Sequence, residues 1–244
     1  MLHGLKAASC TVTVDHEFVE MAGLKWATSN IGAADPKGAG WYFSWGNTEG
    51  YVLKNSKWVK ASDETTPLGE SGKFSEPNYN LTPGSALTGD IDPASGNDAA
   101  RVNWSMDWRM PTSAEFQALY EACGGEGTQT TPAALTTATP EKGIYWLASD
   151  QEFIADYSGV AGILFVDESN TQLFFPVTGY GANYTSLQGT TTGRYWASTL
   201  NYPEPEMKRT AYKLYFTSSS IQSQYATTQC YRGYAIRPVK DIEE

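Results

Sequence analysis

The sequence predicts an α+β fold with short twisted antiparallel strands, one well-defined helix near residues 112–123, and long loops. Three observations support this prediction. A complete helix-start signal precedes an apolar helical face, and short apolar runs elsewhere alternate with turn residues. The 23 glycines and 12 prolines among 244 residues make turns frequent. A composition of 41% hydrophobic and 18% charged residues is typical of an ordered globular chain.

The helix signal begins at Pro111. Thr112 can accept a hydrogen bond from the backbone N–H of Glu115, while the Glu115 carboxylate reaches back to the backbone N–H of Thr112, which is a capping box. Apolar residues then recur at i, i+3, i+4 and i+7 on one helix face, namely Phe116, Leu119, Tyr120 and Cys123. Gly124 and Gly125 follow, where a left-handed residue commonly ends a helix.

Strands are predicted where apolar runs or alternating residues lie between turn residues. Residues 10–31 are expected to form a strand, a turn and a second strand. Further strands are predicted at 144–147, 162–166 and 172–176, the last two joined into a hairpin by a turn at 167–170, and at 194–199, 212–216 and 234–237. Residues 47–100 have no clear period, so we expect a long loop excursion that holds at most a short hairpin.

These elements are expected to form a single domain over residues 15–240, after an N-terminal strand or leader at 1–14. The sequence contains no internal repeat. A mature start that leads directly into a strand is favoured over a lipoprotein cleavage site at 7–10, because Lys6 interrupts the apolar stretch that such a signal needs. No export signal is therefore visible in the sequence.

The charge and the residue inventory exclude several classes of function. The formal net charge is −10, which disfavours binding to nucleic acids and to anionic membranes. No apolar run reaches the roughly 18–20 residues of a membrane-spanning helix, so membrane insertion is not expected. The two histidines, His3 and His16, lie in no catalytic or metal-binding motif, so we expect neither enzymatic activity nor a cofactor nor a metal.

The three cysteines leave two alternatives open. They are far apart in the sequence and no CxxC motif occurs, so a zinc site is unsupported. One disulfide is possible, and Cys123 with Cys230 is the most plausible pair. Three buried free thiols, with Cys10 as the third, are at least as consistent with the spacing.

The C-terminal tail at 193–239 has the composition of a recognition surface. Residues 200–232 hold five tyrosines, four serines and four threonines, and their net charge is +2 on a chain of −10. Tyrosine gives large, stiff contact area, while serine and threonine give adaptable hydrogen bonds. Alternation along the predicted strands assigns a buried set, namely Trp196, Leu214, Phe216, Ile236 and Val239. Arg194 and Arg237 are expected to pair with backbone groups or carboxylates.

The remaining tail residues are expected to face outwards and to bind a ligand. This predicted ligand-binding set is Tyr202, Lys213, Tyr215, Gln224, Tyr225, Gln229, Tyr231 and Arg232. Aromatic and arginine residues dominate binding hot spots, which favours Tyr215, Tyr231 and Arg232 within the set. Loops at 201–209 and 218–229 are expected to complete the surface.

The order of several motifs resembles a known family. The motifs are Gly23–Ala27, Asn30–Ala33, Tyr42–Gly46, Asp98–Ala100, Trp108–Thr112 with Glu115–Phe116, Gly179–Tyr180, Gly193–Thr199 and Gly233–Val239. Over residues 15–240 they resemble the Fibrobacter succinogenes major paralogous domain, which is abundant in Bacteroidetes and their phages. The resemblance implies a C-type-lectin-like fold, in which a helix precedes a small twisted sheet whose C-terminal strands carry ligand-facing side chains. The tail also resembles the variable region of diversity-generating retroelement target proteins.

The chain departs from animal C-type lectins in two respects. It lacks their cysteine pairs and their calcium-and-sugar motifs. Glu76-Pro77-Asn78 spells part of such a motif but is expected to be a loop turn, and Glu204-Pro205-Glu206 supplies too few carboxylates for a calcium site. Calcium-dependent sugar binding is therefore not expected.

Composition and resemblance together predict a non-enzymatic binding protein. It would present the Tyr/Ser/Thr-rich surface to a protein or glycan receptor, at a cell surface, outside the cell or on a phage particle, as an adhesion or retroelement-diversified variable protein does. The alternative is a structural or assembly subunit of a bacterial surface or fimbrial structure, whose tail packs on a neighbouring copy. The sequence does not determine the oligomeric state.

Overall fold

A computed structural model describes residues 16–202 and 209–243 of the chain. The predicted strand at 10–14, His3, Cys10 and the carboxylates Glu204 and Glu206 lie outside these ranges. Within them the chain is α+β, with strands prevailing over three short helices.

The described residues form thirteen strands and three α-helices, most of them short. The strands are β1 (Phe18–Met21), β2 (Leu24–Ala27), β3 (Tyr51–Lys54), β4 (Lys57–Lys60), β5 (Gln129–Thr130), β6 (Ala133–Ala134), β7 (Gly143–Leu147), β8 (Gly162–Val166), β9 (Gln172–Pro176), β10 (Gly193–Tyr202), β11 (Thr210–Thr217), β12 (Ser220–Gln229) and β13 (Val239–Asp241). The helices are α1 (Glu76–Tyr79), α2 (Ala99–Asn103) and α3 (Ser113–Ala122).

These strands form four small sheets, with the orders β1-β2-β13, β3-β4, β6-β7-β8-β9 and β10-β11-β12-β5. All pairs are antiparallel except β6 with β7. The predicted hairpin is confirmed as β8 and β9, and the long excursion at 47–100 contains the hairpin of β3 and β4. The Glu76-Pro77-Asn78 run, expected to be a loop turn, instead lies within the short helix α1.

The predicted helix is confirmed as α3, with Thr112 as its N-cap. The Glu115 N–H donates to Thr112 Oγ1 at 3.1 Å, and the Thr112 N–H donates to Glu115 Oε2 at 2.7 Å, so both bonds of the capping box are present. Arg109 holds the same carboxylate through an Nη2–Oε1 contact of 2.7 Å. The predicted apolar face of the helix is buried.

That helix packs on one face of the β10–β12 sheet and closes the first core. Phe116 and Leu119 of the helix belong to one buried cluster with Tyr195, Leu214 and Phe216 of the sheet. At the start of β10 the close packing requires glycine, because a Cβ on Gly193 would overlap the ring of its cross-strand partner Phe216.

A second core covers the opposite face of the same sheet. Trp196 lies there with Trp45, Phe43 and Tyr234. The indole of Trp196 donates to Phe43 O at 2.8 Å, and that of Trp45 donates to Ala197 O at 2.9 Å, so both buried N–H groups are satisfied. The predicted core residues of the tail are all buried. The sequence predicts that one face of this sheet points outwards, but both faces are covered.

The tail differs from prediction in two further elements. Residues 218–229 were expected to be a loop, but most of them form the long strand β12, whose Thr- and Tyr-containing sequence suits a strand. Residues 234–237 were expected to be a strand, but they make isolated bridges, and the regular C-terminal strand is β13, paired with β2. Cys123 and Cys230 are free thiols buried in different clusters, so their disulfide does not form.

Arg237 connects the two ends of the described chain. Its Nη1 donates to Ala27 O at 2.9 Å and to Thr28 O at 2.7 Å, while Nε donates to Asn30 Oδ1 at 2.8 Å. This confirms the prediction that Arg237 pairs with backbone groups. Burial lowers the pKa of its guanidinium to about 10, which still leaves the group charged at neutral pH. Backbone and amide oxygens therefore accept from Nε and Nη1 of the buried cation, while Nη2 has no hydrogen-bond partner among the described residues.

Candidate ligand-binding surface

Tyrosine rings and cations gather at the second core, on the face of β10, β11 and β12 that carries Trp196. We call this group the tyrosine–cation cluster, and its members are Tyr180, Arg194, Lys213, Tyr215, Tyr225, Arg232 and Tyr234. The register of the sheet brings them together, because Arg194 pairs with Tyr215 and Lys213 pairs with Tyr225. Side chains paired across neighbouring strands lie on the same face of the sheet.

Arg194 lies among three rings of the cluster. Its guanidinium carbon is 3.9 Å from the centroid of Tyr180, 5.2 Å from that of Tyr215 and 5.8 Å from that of Tyr234. Its Nε donates to Thr192 Oγ1 at 3.3 Å, and Nη1 donates to the Tyr234 hydroxyl at 3.4 Å. Arg194 was expected to pair with backbone or carboxylates, but its partners are hydroxyls and aromatic rings.

Lys213 is buried although the sequence predicts that it faces outwards. Only 1% of the residue is exposed, because the Tyr225 ring covers it, with Nζ 4.2 Å from the ring centroid. Nζ donates to Thr228 Oγ1, and the Tyr234 ring centroid lies 5.7 Å away. Burial, and then the positive charge of Arg194, lowers the pKa of Lys213 to about 6. Lys213 is thus on the predicted face of its strand, yet beneath the surface.

Arg232 is the half-buried cation at the edge of the cluster. Its guanidinium carbon lies 5.7 Å from the Tyr180 centroid and 5.2 Å from the Tyr231 centroid. The one hydrogen bond of its guanidinium within the described residues is a long one, from Nε to Gln229 Oε1 at 3.5 Å. Within those residues the other guanidinium N–H groups have no hydrogen-bond partner and can serve a ligand.

No carboxylate of the described residues forms an ion pair with Arg194, Lys213 or Arg232. The ion pairs of the described chain lie elsewhere, as between Arg109 and both Glu115 and Asp241. The chain has ten more negative than positive charges, yet these cations have no counter-ion among the residues that the structure describes. The cluster therefore gives this surface an electrostatic character opposite to that of the whole protein.

The structure brings five of the predicted ligand-binding residues together, and all of them except the buried Lys213 lie at the surface. Tyr215 and Arg232 are half-buried members of the cluster, Gln229 contacts Arg232, and Tyr225 is 36% exposed. The rings of Tyr215 and Tyr225 are neighbours, with their centroids 5.4 Å apart. These residues form one patch of surface.

Gln224 and its neighbour Tyr225 lie on opposite faces of the sheet, although both are predicted to face outwards. The cause is a β-bulge: Tyr215 pairs with Gln222 and Lys213 pairs with Tyr225, so β12 contains one extra residue between these pairs. An extra residue reverses which face the following side chains take. The amide of Gln224 is accordingly directed to the helix side, where it donates to Ser113 O at 3.4 Å.

Tyr231 is also in the core and not on the surface. It is 7% exposed and belongs to the second buried cluster, because the turn after β12 directs Cys230 and Tyr231 inwards. Its backbone oxygen accepts a hydrogen bond from Ser44 Oγ at 3.2 Å. For Tyr202 the described part of the chain includes the backbone alone, at the end of β10, so its predicted role stays a prediction.

Sequence reasoning missed Tyr180 and Tyr234 as members of the cluster and gave Arg194 a structural role. Alternation gave no signal for Arg194, because it is two residues from Trp196 on the same strand and so shares the face of a predicted core residue. No local pattern identifies Tyr180, because it lies in the connection after β9 and reaches Arg194 through tertiary packing alone.

Two cavities lie beside aromatic residues of the described chain. One has a volume of about 430 Å³ and is lined by Glu76, Tyr79, Asn80, Ser85, Arg209, Cys230 and Tyr231. It adjoins the cluster because the Tyr231 ring contacts the guanidinium of Arg232. The other has about 350 Å³ and lies between Trp41 and Trp104, with His16 stacked on Trp104.

The described residues contain no group of three or more His, Cys, Asp or Glu side chains that could hold a metal ion. Over the same residues, no helix has the length and apolarity required to cross a bilayer. No family model, curated protein or solved structure matches the chain.

Proposed function

We propose that the protein is a non-enzymatic recognition protein that presents the tyrosine–cation cluster to a protein or glycan ligand. The observation that carries this proposal is the convergence of Arg194, Arg232 and the exposed Tyr225 on one patch without a carboxylate partner among the described residues. Tyrosine and arginine are the residues most enriched at binding hot spots.

The rigidity of the patch supports recognition. Arg194, Tyr215 and Tyr225 lie on strands that are held between two cores, so little conformational entropy would be lost when they bind. Tyrosine side chains add to this advantage because they have few rotatable bonds for their contact area. The surface is preorganised for a ligand.

The buried carboxyl of Asp98 has a structural role, which favours binding over catalysis. Burial raises the pKa of Asp98, but this side chain accepts hydrogen bonds from the backbone N–H groups of Ala100, Arg101 and Met110. It caps α2 and holds the segment before α3, and so has no free oxygen directed at a pocket.

We further propose a C-type-lectin-like fold and a retroelement-diversified tail. Two features support the fold: α3 precedes the sheet that carries the cluster, and β13 pairs with β2, which brings the two ends of the domain together. The diversification is tested in the genome. A near-copy of the tail-coding region, differing at adenines and close to a reverse transcriptase gene, is expected; its absence from the source genome would contradict diversification.

Binding to an array of neutral and acidic glycans, together with selection from a displayed peptide library, tests the recognition function. We expect at least one ligand whose binding is lost in the Tyr215→Ala/Tyr225→Ala variant. Tyr145→Ala on β7 is the matched control and should bind as the unmodified protein does. Ligands that bind all three proteins equally would place recognition elsewhere, and an absence of ligands in both screens would count against the function.

A further inference from the structure

We propose that the tyrosine–cation cluster binds an anionic glycan, whose acidic group lies between Arg194 and Arg232 beside the Tyr180 ring. This inference rests on the proposed recognition function and specifies the chemistry of the ligand. The acidic group is a carboxylate or a sulfate, because guanidinium groups hold either through paired N–H···O bonds.

The first argument is geometric. The guanidinium carbons of Arg194 and Arg232 lie 3.9 Å and 5.7 Å from the centroid of the same ring, that of Tyr180. A cation–π contact uses the face and charge of the guanidinium group and leaves N–H donors for a further partner. Because both guanidinium carbons lie near the same centroid, they are separated by at most the sum of these two distances, and an acidic group held between them would contact both.

The second argument is electrostatic. Arg194 and Lys213 are close enough for their charges to interact, and together with Arg232 they have no carboxylate partner within the described ranges. Like charges held together are unfavourable until an anion arrives. A bound acidic group would be attracted to Arg194 and Arg232, and it would favour the protonated form of Lys213, whose pKa is about 6 without ligand.

The third argument selects a glycan among acidic ligands. A typical protein interface covers about 800 Å² on each partner, so an acidic protein would extend from the cluster onto surface that carries the excess negative charge. An oligosaccharide can contact the cluster alone. The Tyr225 ring, the Gln229 amide and the tyrosine hydroxyls then supply apolar contact and hydrogen bonds for a sugar.

The test uses a tetra-uronate oligosaccharide, its carboxyl-reduced neutral counterpart, a sulfated tetrasaccharide and a tetra-glutamate peptide, with affinity measured by calorimetry on the full chain. We expect the protein to bind the tetra-uronate or the sulfated tetrasaccharide at least tenfold more tightly than the neutral sugar and the peptide. The better of these two probes identifies the acidic group as carboxylate or sulfate. Arg232→Gln should weaken binding about tenfold, because a charge-assisted hydrogen bond is lost. Arg194→Gln/Arg232→Gln should weaken it further.

The exposed Lys57→Gln variant removes the same charge far from the cluster along the chain and should bind normally. Tighter binding of tetra-glutamate than of either acidic sugar would overturn the proposal in favour of an acidic protein. Equal affinity for neutral and acidic sugars, or no effect of the arginine variants, would also overturn it. If a neutral ligand still binds in a Tyr215- and Tyr225-dependent way, the recognition function stands and the anionic glycan alone is rejected.

Discussion

Lys213 and Tyr225 lie opposite each other on β11 and β12, and the ring of Tyr225 covers the lysine, with Nζ 4.2 Å from the ring centroid. A side chain that the sequence places on the surface is thereby enclosed by its cross-strand neighbour. The amine nevertheless keeps a partner, because it donates to Thr228 Oγ1. The Lys213–Tyr225 pair therefore contributes both to the candidate ligand-binding surface and to the stability of the sheet.

The stability of the protein should depend on pH through Lys213. The groups that face its amine are Arg194 on β10, Tyr225 and Thr228 on β12, and Tyr234. Its pKa is about 6 in the folded state, lowered from an unfolded value of 10.5. Between these values the unfolded chain binds one more proton at this site, so stability rises with pH by up to about 1.4 kcal/mol per pH unit.

Lys213→Met removes this contribution. We expect the variant to be more stable than the unmodified protein near pH 6 and the difference to shrink as the pH rises to 9, measured as the free energy of unfolding in urea. The methionine leaves Thr228 with a partner, since its hydroxyl also interacts with the Tyr234 hydroxyl at 3.2 Å. Parallel pH profiles for the two proteins would mean that Lys213 has an ordinary pKa.

The bulge in β12 gives two adjacent residues opposite roles. Tyr225→Ala should abolish binding of a cluster ligand, because Tyr225 is the exposed ring of the patch. Gln224→Ala should leave the affinity unchanged, because Gln224 is bonded to Ser113 O on the helix side of the sheet. The affinity of each variant for the same ligand is the measurement. Equal losses of affinity in the two variants would contradict the assignment of Gln224 and Tyr225 to opposite faces by the bulge.

Tyr231 should contribute to folding and not to recognition. Its ring is buried in the second core, so Tyr231→Ala should lower the free energy of unfolding by about 3 kcal/mol, as for other buried aromatic residues. Tyr215→Ala should lower this free energy much less, because the Tyr215 ring is half-exposed. Urea denaturation of both variants measures the effect. A Tyr231→Ala protein as stable as the unmodified one would contradict the burial of Tyr231.

Local signals explain what the sequence predicts correctly. The capping box and the apolar face of α3 lie within fourteen residues, and the β8–β9 hairpin is defined by its own turn, so neither depends on distant parts of the chain. Alternation also assigns Leu214 and Phe216 to the core, because both lie on a regular stretch of β11.

The errors arise from long-range packing. Lys213 is covered by Tyr225, which a one-residue bulge shifts onto its face, and such a bulge leaves no mark in the alternation pattern. Tyr180 joins the cluster only because the chain folds the connection after β9 against β10. The second core, which contains Trp45 and Trp196, likewise unites segments that are far apart in the sequence.

Arg237 should tolerate no substitution, not even by lysine. The guanidinium satisfies Ala27 O, Thr28 O and Asn30 Oδ1 together, and a single ammonium cannot reproduce that fork. Arg237→Lys should therefore destabilise the protein by about 3 kcal/mol, as expected when buried charge-assisted bonds are lost. Thermal unfolding measures the effect, and an unchanged melting temperature would show that the ends of the domain are held by other contacts.

The claim that the tyrosine–cation cluster is the ligand site is tested most directly by solution NMR of the protein labelled with ¹⁵N. A ligand identified in the glycan or peptide screens is titrated while the backbone amide and arginine Nε–Hε signals are followed. We predict that the largest shifts fall on Arg194, Arg232, Tyr215 and Tyr225. Shifts centred on the cavity between Trp41 and Trp104, with the cluster signals unmoved, would contradict the account.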